Sequence, residues 1–338
     1  MNIEIPETLL HLRGIYRTKL REKFVRFLEL DMGIRECVGS VLATTAIALV
    51  PNIVAPGAAA AAAPLPEATF EQMVAREAWF VVSGQDPAQS APGVNVPCTP
   101  SAAHPRPVVL VHGFPANQYN GFAHLGPKLA NTGYCVYSLN YGGTNAFDGG
   151  IDGVSVSVPQ VSAFVDRVRA ETGAAKVDLV GHSGGAFVSL YLAKTDPAAA
   201  DRIGAVVVLA PPTNGITSGL IGGATQLGLR GLVAGVCGIC EDVSPGSAAM
   251  TRLHDGPIAR TGIRYTTIVS AHDAMVSPPA AAAIAEDGVS DLVVQDQCPD
   301  DPVGHSGLAY DPSVDAMILN ALDPGRPVPV QCGSGPQF

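Results

Sequence analysis

The sequence is poor in charged side chains. Asp, Glu, Lys and Arg make up 15% of the 338 residues, against about 25% in a typical soluble domain. Apolar residues make up 47%, so the chain can build a large buried core, which argues against a disordered protein. The net charge of -10 at pH 7 would repel a phosphate backbone, which argues against nucleic acid as a partner.

A long apolar run is also missing. Residues 41–50 are uncharged and apolar, but a membrane-spanning helix needs about 20 such residues. An alanine-rich stretch at 58–63 follows, and this combination is typical of a secretory signal peptide. We therefore expect residues 1–63 to be a leader, and the mature protein to be secreted or attached to the cell envelope. Met32 is a more usual start than Met1, because residues 1–31 are long and mixed in charge for the first part of a signal peptide.

The cysteine pattern lacks the partners that a zinc site needs. The motif Cys237-Gly-Ile-Cys240 has no second C-x-x-C and no paired histidine. With Cys37 in the leader, six of the seven cysteines remain in the mature chain, and an even number behind a signal peptide predicts three disulfides. We expect Cys237 and Cys240 to form one of them.

Short apolar runs alternate with segments of helical periodicity. The predicted strands are residues 107–111, 134–139, 176–180, 203–209, 265–269 and 291–294. The predicted helices with one apolar face are residues 159–172, 186–194 and 314–322. This alternation predicts an α/β fold with a doubly wound, mostly parallel sheet whose strands all end at one edge. We expect a catalytic domain over residues 107–332 and an N-terminal extension over 64–106.

One segment, residues 213–262, interrupts this alternation. It is rich in glycine and carries aliphatic side chains that we expect to be exposed. These side chains are Ile216, Leu220, Ile221, Leu227 and Leu232. The sequence therefore predicts a small cap or lid over the site.

The pentapeptide Gly181-His-Ser-Gly-Gly185 directly follows the third predicted strand and precedes a helix. This is the context of the G-x-S-x-G nucleophile elbow of α/β-hydrolases. Side chains at Gly181 and Gly185 would clash with the sharp turn that exposes Ser183. A chance pentapeptide in a chain with 37 glycines is the alternative, but the flanking strand and helix favour Ser183 as the nucleophile.

An oxyanion hole needs one N–H from the residue after the nucleophile and one from a loop after an early strand. Gly184 meets the first condition. Phe114 meets the second, because it lies in His112-Gly-Phe-Pro115 directly after the first predicted strand. We expect Gly113 to let the backbone turn this N–H towards the site; an ordinary loop is the alternative.

The general base should be a histidine that follows the nucleophile in the chain. His254, His272 and His305 qualify, and His305 fits best because it follows the last strand. His272 is the main competitor, although it lies where the acid is expected. A histidine near its usual pKa suits proton transfer at neutral pH.

Asp273 is the expected acid, since it follows the fifth predicted strand and could hold the histidine tautomer. The nearby carboxylates are expected to be solvated loop charges, and they are Glu286, Asp287, Asp300 and Asp301. Ser183, Asp273 and His305 follow the Ser, Asp, His order of this fold.

With these residues identified, the chain resembles the secreted bacterial triacylglycerol lipases of the lipase class 2 family. The resemblance rests on PVVLVHG (107–113), GYCVYSLNYGG (133–143), KVDLVGHSGG (176–185), YTTIVSAHDAMVSP (265–278), LVVQDQCP (292–299) and GHSGLAYDPSV (304–314). It implies the pairs Cys98 with Cys135, Cys237 with Cys240, and Cys298 with Cys332. Two departures, Gly184 where many relatives have Gln and HGFP in place of an HGTF-like sequence, leave the acyl-chain preference open.

The sequence therefore predicts a secreted serine hydrolase that cleaves carboxylic esters, acylglycerols first among them. It implies no metal or organic cofactor, and the aliphatic lid suggests contact with a lipid surface. The alternatives are a cutinase-like polyesterase or an acyltransferase using the same residues, and a catalytically silent protein that binds lipid.

Overall fold

The computed structural model describes residues 63–83, 89–143, 149–217, 222–223, 227–228 and 230–338. The predicted leader, with Met32 and Cys37, lies outside the described residues apart from Ala63. Leu220 and Ile221 of the predicted lid also lie outside them. Ala63–Phe338 form one unit.

Six parallel strands make a single sheet. They are β1 (Val108–Val111), β2 (Val136–Ser138), β3 (Val177–His182), β4 (Ile203–Leu209), β5 (Arg264–Val269) and β6 (Val289–Val293). Their order is β2-β1-β3-β4-β5-β6, and every neighbouring pair is parallel. The chain places β2 on one side of β1 and β3 on the other, so the order of the strands reverses here. Ligands bind at such switch points in parallel sheets. The predicted fold class is confirmed.

Helices cover both faces of this sheet. They are α1 (Phe70–Ser83), α2 (Leu125–Asn131), α3 (Val154–Thr172), α4 (Gly184–Thr195), α5 (Ala199–Arg202), α6 (Arg230–Val236), α7 (Gly238–Asp242), α8 (Ala248–Leu253), α9 (Val294–Gln297) and α10 (Pro312–Leu322). Helices α3 and α4 join the apolar core on one face, and α2 and α10 join the core on the other. Strands β1 and β4 are buried along almost their whole length and are apolar, which is why short continuous apolar runs identified them, whereas β6 carries Ser290 and Asp291 and is partly exposed.

Two helices differ from the predictions made from periodicity. Helix α3 begins at Val154, before the predicted start at Pro159. The prediction missed the first turn because its sequence, Val-Ser-Val-Ser, alternates like a strand. The Asp242 carboxylate accepts from the Val154 N–H at 2.6 Å and caps this end. Helix α1 was not predicted, although Thr69 and Gln72 form a capping box, each side chain accepting from the other's N–H.

The predicted lid segment contains the short helices α6, α7 and α8. Leu227 and Leu232 are exposed by 76% and 70%, as predicted. The prediction for Ile216 is wrong, because its side chain is only 8% exposed and belongs to the core. Its N–H donates to the Val243 carbonyl at 2.9 Å, which ties this part of the segment inwards.

Three disulfides join Cys98 to Cys135, Cys237 to Cys240, and Cys298 to Cys332. The pairing implied by the sequence resemblance is confirmed. In the part of the chain that the structure describes, no helix is both long and apolar enough to cross a membrane.

Candidate active site

Ser183 lies in a sharp turn between β3 and α4. Its φ of 53° and ψ of -121° are a strained combination for a residue with a side chain. A Cβ on Gly181 would lie 2.7 Å from the Gly185 carbonyl oxygen, and one on Gly185 would lie 2.2 Å from the Val111 oxygen. Both glycines are therefore required by close packing, as predicted. Helix α4 begins at Gly184, two residues before the predicted range of 186–194.

Ser183, His305 and Asp273 are brought together in one hydrogen-bond series. His305 Nε2 lies 2.8 Å from Ser183 Oγ, and His305 Nδ1 lies 2.7 Å from Asp273 Oδ2. All three residues are buried. The serine follows β3, the aspartate follows β5, and the histidine follows β6 and α9, so the parallel sheet delivers all three side chains to one edge.

The Asp273 carboxylate has a second set of contacts that fixes its charge. Its Oδ1 accepts from the N–H groups of Met275 at 2.7 Å and Val276 at 2.8 Å. Burial alone would raise the pKa of Asp273, but the His305 hydrogen bond and charge and these two N–H groups hold the pKa below its ordinary value. An ionised carboxylate only accepts, so His305 Nδ1 carries the proton and Nε2 is free to accept from Ser183 Oγ.

The loop after β1 lies directly against Ser183. A Cβ built on Gly184 would be 3.7 Å from the Phe114 nitrogen, so the two predicted oxyanion donors are neighbours. Gly113 does not adopt a left-handed conformation, so a positive φ is not the reason for this glycine. A Cβ there would lie 3.0 Å from Ser183 Cβ and 3.2 Å from the His182 oxygen, so Gly113 is needed for the close approach of the loop to the turn.

The His112 side chain forms a hydrogen bond with the backbone of this loop. Its buried ring contacts the Gly113 carbonyl through Nδ1 at 2.8 Å, and Tyr141 Oη donates to the His112 carbonyl at 2.5 Å. Burial lowers the pKa of His112 to about 4. The ring is therefore neutral at pH 7, and Nδ1 must be the donor because a carbonyl only accepts.

His182 is a contact of the site that sequence reasoning missed. Its Nε2 lies 2.9 Å from the main-chain oxygen of His305. The position inside G-x-S-x-G marks it as adjacent to the nucleophile, but nothing in that motif indicates which backbone group its side chain reaches.

The competing residues lie elsewhere. His272 is exposed, and the His254 ring contacts the Thr213 carbonyl at 2.9 Å. Two predictions of solvated acids are wrong. Asp301 is buried and accepts from the Val303 N–H and Ser313 Oγ, while Glu286 accepts from two N–H groups at residues 258 and 259. Asp287 and Asp300 are exposed, as predicted.

An apolar side chain from the predicted lid segment lies beside Gly184, one of the two predicted oxyanion donors. Ile239 is buried, and its Cγ1 would be 3.4 Å from a Cβ on Gly184. Its N–H donates to the Ile151 carbonyl at 3.1 Å, and it lies between the disulfide-linked Cys237 and Cys240. The C-x-x-C motif thus holds this side chain beside Gly184.

Residues 106–228 match the model of the family described as alpha/beta hydrolase fold. The six-stranded parallel sheet with its strand-turn-helix elbow agrees with that match, and the protein has the α/β-hydrolase fold. Among solved structures, the chain is similar to Aspergillus fumigatus lipase B, with a TM-score of 0.53 at 17% identity over 71% of this chain and 61% of that one. At this identity the likeness concerns the fold alone.

Within that fold, the chain is similar to two bacterial triacylglycerol lipases. It is 32% identical to the enzyme of Burkholderia plantarii over 141 residues, or 38% of this chain. It is 34% identical to the enzyme of Pseudarthrobacter phenanthrenivorans over 119 residues, or 34% of this chain. The matches span 37% and 35% of those relatives, just over a third of their length.

Proposed function

We propose that the protein is a carboxylic ester hydrolase in which Ser183, His305 and Asp273 act as nucleophile, general base and orienting acid. The observation that carries this proposal is the hydrogen-bond series of 2.8 and 2.7 Å that ends on the strained serine. The match to the fold family and the partial similarity to two lipases support it.

The reaction follows from the proton positions. His305 Nε2 takes the Oγ proton as Ser183 attacks the ester carbonyl carbon, and the negative charge passes to the carbonyl oxygen. The N–H groups of Phe114 and Gly184 stabilise this oxyanion. His305 then gives its proton to the departing alkoxide. The alcohol is released, and the acyl group remains bonded to Ser183 as an acyl-enzyme. Water, deprotonated by His305, attacks the acyl-enzyme and releases the acid, with Oγ regaining its proton.

The substrate class we propose is acylglycerols, with the protein acting as a secreted lipase of the class 2 family. Both bacterial relatives are triacylglycerol lipases. The exposed Leu227 and Leu232 of the predicted lid segment favour contact with a lipid surface, because exposed apolar side chains are typical of surfaces that bind membranes or other partners. The buried Ile239 beside Gly184 offers an apolar wall to an acyl chain.

The test is hydrolysis of p-nitrophenyl esters from C2 to C16 by the purified chain and by Ser183→Ala. We expect kcat to fall about 10^4-fold or more in the variant, while Ser290→Ala, an exposed serine on β6, keeps the original activity. Preference for long, emulsified esters supports a lipase. Transfer of the acyl group to an added alcohol in place of water indicates an acyltransferase, and no turnover at any chain length indicates a silent binding protein.

A further inference from the structure

The loop that carries His305 is held on two opposite edges. On the inner edge, the carbonyls of every second residue, from 301 to 305, accept hydrogen bonds from side chains that lie at the ends of the strands. The bonds run from Gln295 Nε2 to the Asp301 oxygen at 2.8 Å, from Ser270 Oγ to the Val303 oxygen at 2.5 Å, and from His182 Nε2 to the His305 oxygen at 2.9 Å. None of these three bonds uses the N–H groups of Gly304 and Gly307.

The outer edge is bound by residues 333–338, which we call the tail segment. The Gly304 N–H donates to the Pro336 carbonyl at 2.8 Å, and the Gly307 N–H donates to the Phe338 carbonyl at 2.9 Å. These two donors lie on either side of His305. The tail segment thus binds the loop much as a neighbouring strand would, and an unpaired buried N–H is costly enough to favour the contact.

The contact is too close for side chains on the loop. A Cβ on Gly304 would lie 2.5 Å from the Gln337 oxygen, and one on Gly307 would lie 2.3 Å from the Pro336 oxygen. Both glycines are therefore explained by the tail segment, as those of the elbow are explained by the sheet. Neither the hydrolysis reaction nor the sheet itself requires them.

The tail segment is fastened at both of its ends. Cys332, the residue before it, is bonded to Cys298. At the other end the Phe338 ring stacks on Phe70 at 5.8 Å, and Phe70 meets Tyr310 edge-on at 5.4 Å. In the middle, the buried Gly335 donates its N–H to Asp301 Oδ1 at 3.3 Å. The segment that contacts the loop is thus itself joined to the rest of the molecule at three points.

We propose that the tail segment is a positioning element for the general base, which holds the His305 imidazole between Ser183 Oγ and Asp273. The proposal rests on the function proposed above. The physical reason is geometric: proton transfer requires His305 Nε2 within hydrogen-bond distance of Oγ, and a displacement of about 1 Å can lower the rate about 10^2-fold. The tail segment acts through the loop backbone, to which it is bonded at Gly304 and Gly307.

The first test compares the full chain with a chain that ends after Cys332, which keeps the disulfide, and with Gly307→Ala, which keeps the tail segment but forces it off the loop. With soluble p-nitrophenyl butyrate we expect kcat to fall about 10^2-fold in both variants, with KM changed less than about twofold. A synthetic peptide of sequence GSGPQF, added in excess to the truncated chain, should raise kcat. The control Gly325→Ala, whose Cβ would meet only Asp323 Oδ1 at 3.5 Å, should match the original chain.

A second readout separates this proposal from the proposed function. The proton on His305 Nδ1, shared with Asp273, should give a low-field proton NMR signal in the full chain that broadens or moves in both variants. This signal can be recorded without turnover. If the full chain hydrolyses no ester and the signal still changes in both variants, the positioning role is supported while the proposed ester hydrolysis is contradicted. Unchanged kcat together with an unchanged signal would overturn the positioning role. If the truncated chain unfolds, the same two measurements on Gly307→Ala decide the matter.

Discussion

His182 and His305 are joined by a hydrogen bond between a side chain and a main chain. His182 Nε2 donates to the His305 carbonyl oxygen at 2.9 Å, and the two rings lie 5.0 Å apart. Burial and the neighbouring His305 lower the pKa of His182 to about 3. The ring is therefore neutral at working pH, and the nitrogen facing the carbonyl must carry its proton. The residue before the nucleophile thus holds the backbone of the proposed base.

Replacing His182 should weaken catalysis most when the new side chain cannot donate a hydrogen bond to the His305 carbonyl. We expect His182→Phe to lower kcat by about 10 to 10^2-fold with little change in KM, because the His305 backbone loses its inner anchor. His182→Gln, whose amide can donate, should retain more activity. Steady-state kinetics on a soluble ester checks both, and equal activity of the two variants would argue against an anchoring role for this bond.

Asp273→Asn should abolish most of the activity while preserving the fold. The amide can donate to His305 Nδ1 and so favours the wrong tautomer, for which a loss of about 10^4-fold in kcat is expected. Asp300→Asn, a change at an exposed carboxylate of a neighbouring loop, is the matched control. Comparable kcat values for the two variants would exclude Asp273 from the proposed series.

Ile239 should influence acyl-chain preference because it lies against Gly184. We expect Ile239→Trp to reduce turnover of long p-nitrophenyl esters more than of short ones, since the larger side chain fills space beside Gly184, a proposed oxyanion donor. Ile239→Ala should shift preference in the opposite direction. The ratio of kcat/KM for C12 and C4 esters measures this effect, and a ratio that neither change alters would place the acyl chain elsewhere.

Stability should fall at mildly acidic pH, in part because of His112. Its pKa is about 4 in the folded chain and about 6.5 when unfolded. The folded state binds fewer protons between these values, so the contribution of His112 is complete above pH 6.5 and is lost as pH falls towards 4. At pH 5 the loss is about 2 kcal/mol.

Urea unfolding from pH 5 to pH 7 tests this effect of His112. His112→Asn cannot titrate, yet its amide can donate to the Gly113 carbonyl, and its stability should vary less with pH than that of the original chain. His272→Asn, at an exposed histidine, is the matched control. Parallel curves for all three proteins would show that His112 titrates normally.

The disulfides should differ in their contribution to stability. Cys98 and Cys135 are separated by 37 residues and Cys237 and Cys240 by 3. Because a disulfide restricts the unfolded chain more when it closes a longer loop, removing the first pair should cost about 4 kcal/mol and the second about 2 kcal/mol. Urea unfolding of the two double Cys→Ala variants compares them, and an equal or reversed order would contradict the loop-entropy explanation.

The six strands and the order of Ser183, Asp273 and His305 followed from the sequence. Each strand was a short apolar run, and the parallel sheet then required the residues after those runs to meet at one edge. Helix α1 could also have been found, since Thr69 and Gln72 have the spacing of a capping box. The start of α3 could not, because its first turn alternates like a strand and is capped by Asp242, 88 residues later.

By itself, then, the sequence determined the fold class and the residues that follow each strand, since both depend on local patterns of apolar side chains and glycines. Only the tertiary structure decided that Asp301 is buried, that Ile239 lies beside Gly184, and that Gly304 and Gly307 donate to the tail segment. These contacts join residues that are distant in the chain, and a single hydrogen bond or close approach between them leaves no periodic pattern in the sequence at either end.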